Sequence, residues 1–149
     1  MKILKINTLK KGRVDRNNLL LHACFQILVD FVEKESPFKF IDWNSDEAHI
    51  NAAKEIRSLY RWWVKLRPNR PDYYKELEEN EIPSFEEMSE PIYSNDGKTI
   101  DHYRLIKPPK KYSKYYKVSK KMVKLEIKCE EEDQKNLLRL AAIRQFLWV

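Results

Sequence analysis

The sequence predicts a mostly α-helical protein, namely a compact helical domain with a long irregular charged insertion at about residues 68–111. Three observations support this fold class. Apolar residues recur at helical spacing in the N-terminal, central and C-terminal parts of the chain. Only two glycines are present, and six of the seven prolines fall within residues 67–111, where they interrupt regular structure. A length of 149 residues is typical of one domain, so we expect a single domain over residues 1–149.

The first helix is predicted to begin near Asp15 or Asn17, either of which can cap it, and to run to about Glu35. The Ser36-Pro37 pair should stop it, because the residue before a proline disfavours the α conformation. Apolar positions cover about 200° of the helix circumference, which indicates burial on more than one side. The rest is a narrow polar stripe that we expect to be solvated, consisting of His22, Gln26, Asp30 and Glu33.

A second helix is predicted from about Ser45 to Leu66, because apolar residues again share one face and a proline follows soon after. Asn44 and Glu47 have the spacing of a capping box at its start. His49 falls at the centre of the apolar face, where we expect a hydrogen-bonded core histidine.

Two adjacent tryptophans on the second helix have different expected environments. Trp63 lies on the apolar face and should belong to the core. Trp62 projects about 100° away, near the polar face. It either packs on another element, as large aromatic side chains usually do, or stays available to a partner.

The C-terminal third fits two secondary structures. The segment KMVKLEIKCE alternates as a strand does, but apolar residues also recur at helical spacings of three and four. The residues in the helical pattern are Tyr115, Val118, Met122, Leu125 and Cys129. We favour a helix because this pattern covers the longer stretch. Another helical stretch is predicted after the acidic run at residues 130–133, and Arg144 falls within its apolar face, where a buried arginine would need a partner.

The net charge of +6 is distributed in blocks along the chain. Residues 71–101 contain ten acidic residues and two lysines, whereas residues 102–124 contain nine lysines or arginines and no acid. Either these blocks neutralise each other, or the basic block faces an anionic partner. Residues 107–124 interleave lysines with three tyrosines, a composition in which lysines neutralise phosphates and tyrosines stack on bases.

The candidate residues for binding a partner or nucleic acid come from two parts of the chain. One surface combines a tryptophan with nearby arginines, and the other is the basic block. The candidates are Trp62, Arg57, Arg61, Arg67, Arg70, Lys107, Lys110, Lys111, Tyr112, Lys114, Tyr115 and Lys117. The alternative is that the lysines are a solvated face or pair with the acidic block, through Glu76, Glu78, Glu79, Glu86 or Glu87.

Four stretches of the chain together resemble a family of small uncharacterised proteins encoded by tailed bacteriophages. They are HA-x-FQ-x-LVDFVE in the first helix, IDW before the second, EI-x-x-LY-x-WW within it and IR-x-x-LW near residue 148. The resemblance implies a phage origin and a location in the cytoplasm of the infected bacterial host, with the virion as the alternative. It implies no activity, cofactor or catalytic residue.

The sequence lacks the catalytic motifs of several classes of enzyme. It has no HExxH, paired CxxC or GxSxG motif, and Asp72, Glu126 and Lys128 match a nuclease core only if the last two lie on a strand. We therefore expect no metal, no cofactor and no enzymatic activity. Cys24 and Cys129 are expected as reduced thiols. The longest run without a charge, 13 residues, is too short to cross a membrane.

We expect the protein to act by binding a host or phage macromolecule. The leading hypothesis is a phage accessory protein with a protein or ribonucleoprotein partner, for example an inhibitor of a nucleic-acid-directed host defence complex. One alternative is direct nucleic-acid binding in phage DNA or RNA metabolism. The other is a minor virion or assembly component.

Overall fold

The computed structural model describes residues 4–9 and 12–148 and is mostly helical, as the sequence predicts. Contacts along the chain divide it into two compact units. The first unit comprises residues 1–70 and 129–149, and the second comprises residues 71–128. The single domain expected over residues 1–149 stays a prediction.

The first unit contains two long helices and the C-terminal part of a third. Helix α1 (Arg16–Asp30) continues as a π-helical turn (Phe31–Glu35) and is followed by the short helix α2 (Pro37–Phe40). Helix α3 (Glu47–Arg61) continues as a π-helical turn (Trp62–Leu66) and a 3₁₀ turn (Arg67–Asn69). The unit ends with the last part of helix α6 (Ser113–Ala142) and a 3₁₀ turn (Arg144–Phe146).

The core of the first unit lies between α1 and α3. Phe25 of α1 and Ile56 of α3 are fully buried, and Leu140 of α6 is also buried. Trp63 stacks on Phe25 with ring centroids 4.5 Å apart and planes 13° from parallel. The predicted core positions of Phe25 and Trp63 are therefore confirmed.

The end of α1 follows the sequence prediction. The helical stretch stops at Glu35, and Ser36 takes a left-handed conformation with φ 50° and ψ 51°. Pro37 then begins α2, where its missing N–H costs no helical hydrogen bond. Asp15 is the N-cap residue of α1, but its side chain makes no capping hydrogen bond.

The polar stripe of α1 is only partly solvated, because Glu33 is exposed, His22 and Asp30 are half-buried and Gln26 is buried. Gln26 is buried at 2% exposure and accepts a hydrogen bond from the backbone N–H of Asn7 at 2.9 Å. Thr8 and His22 lie 2.7 Å apart through Oγ1 and Nδ1, and the Tyr60 hydroxyl donates to Glu33 at 2.7 Å. The expectation was wrong for Gln26, because this stripe binds other segments of the chain, which helical periodicity does not reveal.

The start of α3 also differs from its prediction. Asp46, rather than Asn44, is the N-cap residue, and its carboxylate accepts the backbone N–H of His49 at 2.9 Å. Asp46 also lies 2.7 Å from the His49 ring nitrogen Nδ1. His49 is hydrogen-bonded as expected, but it is half-buried at the helix start instead of fully buried in the core.

The second unit contains short helices, a β-hairpin and the first part of α6. Its elements are α4 (Tyr74–Glu78), α5 (Phe85–Met88), β1 (Ser89–Tyr93), β2 (Ile100–Leu105), a 3₁₀ turn (Lys110–Tyr112) and the N-terminal part of α6. Ser84 and Glu87 form a capping box on α5. Residues Ser94 to Gly97 form a turn, in which Gly97 has φ 64° and its N–H donates to the Ser94 carbonyl.

The hairpin makes residues 68–111 less irregular than predicted. Strands β1 and β2 pair antiparallel, with Ser89 opposite Leu105 and one extra residue, Asp101, before His102. Pro91 occupies β1 without breaking it. The Ile106 N–H donates to Met88, so by alternation along the ladder the nitrogen of Pro91 faces away from β2. The high proline content of this region therefore did not exclude a strand.

Helix α6 resolves the ambiguity in the C-terminal third. It is continuous over Ser113–Ala142, so KMVKLEIKCE is helical, as favoured. The expectation that Arg144 is buried was wrong. The helix ends at Ala142, and Arg144 lies exposed in the following 3₁₀ turn. Both cysteines are free thiols.

Candidate nucleic-acid interface

The N-terminal half of α6 presents a row of exposed lysines, which we call the lysine face. It consists of Lys114, Lys117, Lys120, Lys121, Lys124 and Lys128, all of them exposed. At ~100° per residue these positions fall within an arc of about 120° and extend over about 21 Å of helix. Val118, Met122 and Leu125 are buried or half-buried and lie within about 80° of one edge of this arc. The lysines therefore form one continuous cationic surface.

The lysine face is not neutralised by ion pairs among the residues that the structure describes. None of its six lysines forms a salt bridge with any residue that the structure describes. Glu126, the one acid in residues 113–128, belongs to the opposite side of the helix and accepts a hydrogen bond from the Tyr74 hydroxyl at 2.7 Å. The charge on this surface is therefore available to an external anion.

Only a small part of the basic block pairs with the acidic block. Lys111 forms a salt bridge with Glu87 at 2.7 Å, and Arg104 pairs with Glu90 across the hairpin. Hydrogen bonds from Lys111, from the Tyr112 hydroxyl and from the Ser84 backbone lower the pKa of Glu87 to about 2. Among the described residues, the acidic block therefore neutralises two residues of the basic block, Lys111 and Arg104, and not the whole block.

The position of the lysines on α6 is electrostatically unfavourable. The N-terminus of a helix carries partial positive charge and is stabilised by acids in its first turn. Helix α6 has no acid there, and Lys114 and Lys117 occupy the first two turns, shortly after Lys110 and Lys111. An anion bound at this end would relieve repulsion between the helix dipole and the lysines.

A shallow groove lies beside the lysine face in the second unit. Its volume is about 390 Å³, and it is lined by Ser113, Lys114, Tyr116, Lys117 and Lys120. The Tyr116 hydroxyl lies 2.9 Å from the Met88 sulfur, which fixes the ring at one wall. Tyr115 is half-buried and packs edge-on against Tyr116 with centroids 5.4 Å apart. The groove therefore combines cationic side chains with a fixed aromatic ring.

The other candidates of the basic block have mixed environments. Lys107, Lys110 and Lys111 are exposed, and Lys111 is paired with Glu87. Tyr112 is buried at 3% exposure and its hydroxyl donates to Glu87, so its ring is not available for stacking on a base. Tyr112 is thus a buried residue of the second unit, in contrast to the half-buried Tyr115.

Trp62 is buried and is therefore not accessible for stacking on a base. Its exposure is 5%, its Nε1 donates to Glu132 at 2.9 Å, and its ring lies 5.2 Å from that of Phe25. The Arg70 guanidinium lies 5.4 Å from the Trp62 ring centroid. Of the two environments considered for this residue, the structure shows packing.

Arg67 and Arg70 are engaged in an ion-pair cluster. Both donate to Asp133, Arg67 at 3.0 and 3.1 Å and Arg70 at 2.6 Å, and Arg70 also donates to Glu132 at 2.6 Å. Burial alone would raise the pKa of Asp133, but the hydrogen bonds from both arginines outweigh burial and hold that pKa below its usual value. These arginines therefore fix the segment after α3 to α6 instead of forming a free basic surface.

Arg57 and Arg61 are the two candidates near Trp62 that stay exposed. The Arg57 guanidinium lies 4.2 Å from the centroid of the Phe38 ring. Neither arginine forms a salt bridge with a described residue. They belong to the first unit, so they do not form part of the lysine face.

Sequence reasoning missed four of the six residues of the lysine face, Lys120, Lys121, Lys124 and Lys128. Their spacing of three, four and seven residues was a usable signal once residues 113–128 are assigned to a helix. It also missed Glu132 and Asp133 as partners of the arginines. The acidic run suggested a helix start, whereas it lies inside α6.

Two further properties of the structure bear on the sequence expectations. Within residues 4–9 and 12–148, no helix combines the length and the apolar composition that spanning a membrane requires. Over the same residues, no three His, Cys, Asp or Glu side chains gather into a group that could hold a metal ion. Glu126 and Lys128 lie on α6, not on the strand that a nuclease core requires.

Comparisons of the chain with protein-family models, with curated proteins and with solved structures return no match. The resemblance to proteins of tailed bacteriophages stays a prediction from the four sequence stretches described above.

Proposed function

We propose that this protein is a non-enzymatic phage protein that binds nucleic acid through the lysine face of α6. The observation that carries the proposal is the row of six exposed lysines without a salt-bridge partner among the described residues. Lysines in such a row neutralise phosphates and release counterions, which supplies affinity without sequence readout. The phage origin and the absence of enzymatic activity are taken over from the sequence expectations.

The dimensions of the surface suit a nucleic-acid backbone. The row extends over about 21 Å of helix, enough to lie along several consecutive phosphates. Lysine is a flexible point charge, whereas reading bases usually requires bidentate arginine, asparagine or glutamine side chains. We therefore expect binding that depends strongly on salt and little on sequence.

The test is a salt titration of binding to random single-stranded and duplex oligonucleotides. Replacing Lys117, Lys120 and Lys124 with Gln should weaken binding at least about tenfold and, on duplex DNA, flatten the log–log salt dependence by roughly 0.9 for each phosphate that is no longer neutralised. The matched control replaces the exposed lysines Lys39, Lys54 and Lys65 of the first unit, which removes the same charge. Equal effects of the two triple variants would contradict the proposal, as would the absence of salt-sensitive binding in the parent protein.

The second candidate function is binding to a host protein or ribonucleoprotein, for example as an inhibitor of a nucleic-acid-directed defence complex. It is favoured by an exposed acidic segment in the second unit that forms no salt bridges with described residues. Its acids are Glu76, Glu78, Glu79, Glu81 and Glu86. Ile82 and Phe85 lie among them with 61% and 50% exposure, and apolar anchors within a charged rim are typical of protein interfaces.

An affinity pull-down from infected cells separates the candidates. A protein captured after nuclease treatment, and lost with Ile82→Ser and Phe85→Ser, would support the second function. Capture that disappears with nuclease and with the lysine-face variant would support the first. Mass spectrometry of purified virions tests the remaining hypothesis of a minor virion component.

A further inference from the structure

A second cationic groove lies in the first unit, between α3 and the C-terminal part of α6. Its volume is about 630 Å³, which is in the range of small-molecule sites. Two basic pairs at i and i+4 line it, Arg57 with Arg61 on α3 and Lys135 with Arg139 on α6. Like charges at this spacing weaken a helix. The Arg57 and Arg61 pair, which forms no salt bridge with a described residue, therefore places positive charge on this groove at some cost to the stability of α3.

Arg139 holds other side chains of the groove in place and is itself already paired with an acid. Its guanidinium donates to both carboxylate oxygens of Glu55, at 2.8 and 3.0 Å. The same group donates to Asn136 Oδ1 at 2.8 Å and to Ser58 Oγ at 3.1 Å. Arg139 is thus neutralised by Glu55 and holds two neighbouring polar side chains in place.

These contacts leave mainly hydrogen-bond donors facing the groove. Because Asn136 accepts through Oδ1, its amide nitrogen is the free group, and because Ser58 accepts from Arg139, its hydroxyl hydrogen is free to donate. Asn136 is only 4% exposed, and its Nδ2 has no hydrogen-bond partner among the described residues. Nδ2 is not among the buried side-chain atoms that lack a partner, so it is open to the groove, where an acceptor oxygen on a ligand would take the place of water.

The three remaining cations of the groove are unpaired. Arg57, Arg61 and Lys135 are exposed and form no salt bridge within residues 4–9 and 12–148. At one end of the groove lies Glu132, whose carboxylate already accepts from Trp62 at 2.9 Å and Arg70 at 2.6 Å. That end accepts hydrogen bonds, whereas the rest donates them.

We propose that this groove binds a phosphate monoester, with the phosphate against Arg61, Lys135 and Asn136 and a ligand hydroxyl towards Glu132. A phosphate monoester carries a charge of about −1.5 to −2 at neutral pH and three acceptor oxygens. These features match several cations and donors that come from two helices, whereas a carboxylate offers one charge in one plane. The phosphate could belong to a free nucleotide or to the 5′ end of an oligonucleotide.

The test is calorimetric or NMR titration of the full chain at physiological ionic strength. The probes are a nucleoside 5′-monophosphate, a 5′-phosphorylated dinucleotide, the same dinucleotide with a 5′-hydroxyl, and succinate. We expect a dissociation constant of about 1 mM or tighter for at least one 5′-phosphorylated probe, and no binding of succinate in that range. Preference for the mononucleotide or for the dinucleotide then identifies the source of the phosphate.

Single variants locate the site. Arg61→Gln and Lys135→Gln should each weaken binding of the phosphorylated probe by about fivefold or more, as loss of a hydrogen bond to a charged group does. Arg144→Gln and Lys65→Gln remove the same charges from exposed positions outside the groove and should have little effect. All four positions are exposed, so the variants should fold.

This proposal does not depend on nucleic-acid binding by the lysine face. The Lys117, Lys120 and Lys124 triple variant should bind the mononucleotide as the parent does, even if it loses affinity for long oligonucleotides. Absence of binding by both phosphorylated probes, equal binding of succinate, or equal effects of groove and control variants would each overturn the phosphate site.

Discussion

At the scale of single residues, Ser36 carries a conformation that its side chain does not favour. With φ at 50°, it is the one residue other than glycine with positive φ among those described. The left-handed conformation costs an L-residue roughly 1–2 kcal/mol. A glycine at this position would avoid that cost, but part of the stabilisation is lost because glycine has more conformational freedom in the unfolded chain.

We expect Ser36→Gly to raise the free energy of unfolding by up to about 1 kcal/mol, and Ser36→Val to lower it, because a β-branched residue tolerates this region least. Thermal melts of the two variants should therefore move in opposite directions from the parent. A glycine variant that melts below the valine variant would show that α1 does not end at Ser36 in this conformation.

Truncating the stacked aromatic pair should be much more costly. Phe25→Ala and Trp63→Ala should each lower the free energy of unfolding by about 3 to 5 kcal/mol, because both side chains are buried against each other. Denaturant unfolding measures the effect. Ile27→Ala on the same helix is the control, since Ile27 is 47% exposed and should cost less than about 1 kcal/mol.

The burial of a residue was predictable where the apolar periodicity of its own helix determines it. The arcs calculated for α1 and α3 placed Phe25 and Trp63 correctly. The environment of Trp62 was not predictable, because its neighbours Glu132 and Arg70 are set by the fold, and Glu132 is 70 residues away in sequence. The same limitation explains why the polar stripe of α1 was misjudged.

At the scale of elements, the Arg67, Arg70 and Asp133 cluster connects the segment after α3 with α6. The three side chains are 17% to 22% exposed, so solvent screens their attraction only partly. Removing the charge of Asp133 leaves Arg67 and Arg70 close together without the carboxylate that they share.

Asp133→Asn should therefore lower the free energy of unfolding by about 2 to 4 kcal/mol at neutral pH. The folded-state pKa of Asp133 lies below its unfolded value, so the carboxylate stabilises the fold above the unfolded pKa and loses this effect as pH falls through the folded pKa. The difference between variant and parent should shrink in acid.

Denaturant unfolding at neutral pH and in acid, with Glu131→Gln as the control, checks this prediction. Glu131 is an exposed neighbour on α6 without a salt bridge to a described residue. A cost of Asp133→Asn that stays constant with pH would mean that the ion pairs do not stabilise the fold.

Elements were predictable from sequence in proportion to their length. The long helices α1, α3 and α6 show several turns of apolar periodicity, and Pro37 and Pro68 lie close to the ends of the helical stretches that begin with α1 and α3. The hairpin was missed because β2 is exposed along all six residues and so shows no alternation between buried and solvated positions. Of the lysine face, only Lys114 and Lys117 were among the predicted candidates, because the sequence did not determine whether the residues after them form a helix or a strand.

At the scale of the whole molecule, the two units differ in the apolar surface that they bury. Thirteen buried hydrophobic residues form the core cluster of the first unit. In the second unit the buried hydrophobic residues include Tyr112 and Val118. Local stability follows buried contacts, and a two-stranded hairpin alone is marginal in water.

We therefore expect hydrogen exchange to distinguish the units. Amides within α1 and α3 should exchange orders of magnitude more slowly than amides of β1 and β2 in the native protein. Hydrogen-exchange mass spectrometry under native conditions measures this directly. Equal protection of the hairpin and the two helices would contradict the expectation.

The open hairpin also has a consequence for how the protein behaves at high concentration. A strand with a free edge invites pairing with the same strand of another molecule, which leads to fibrous or amorphous aggregates. Pro91 interrupts the hydrogen-bonding capacity of the β1 edge, and Asp101 and Arg104 place charge on β2. Charges and proline on exposed strands are what natural proteins use against such association. We expect these three residues to protect the strand edges, so that replacing the two charges with threonine should increase precipitation at high concentration.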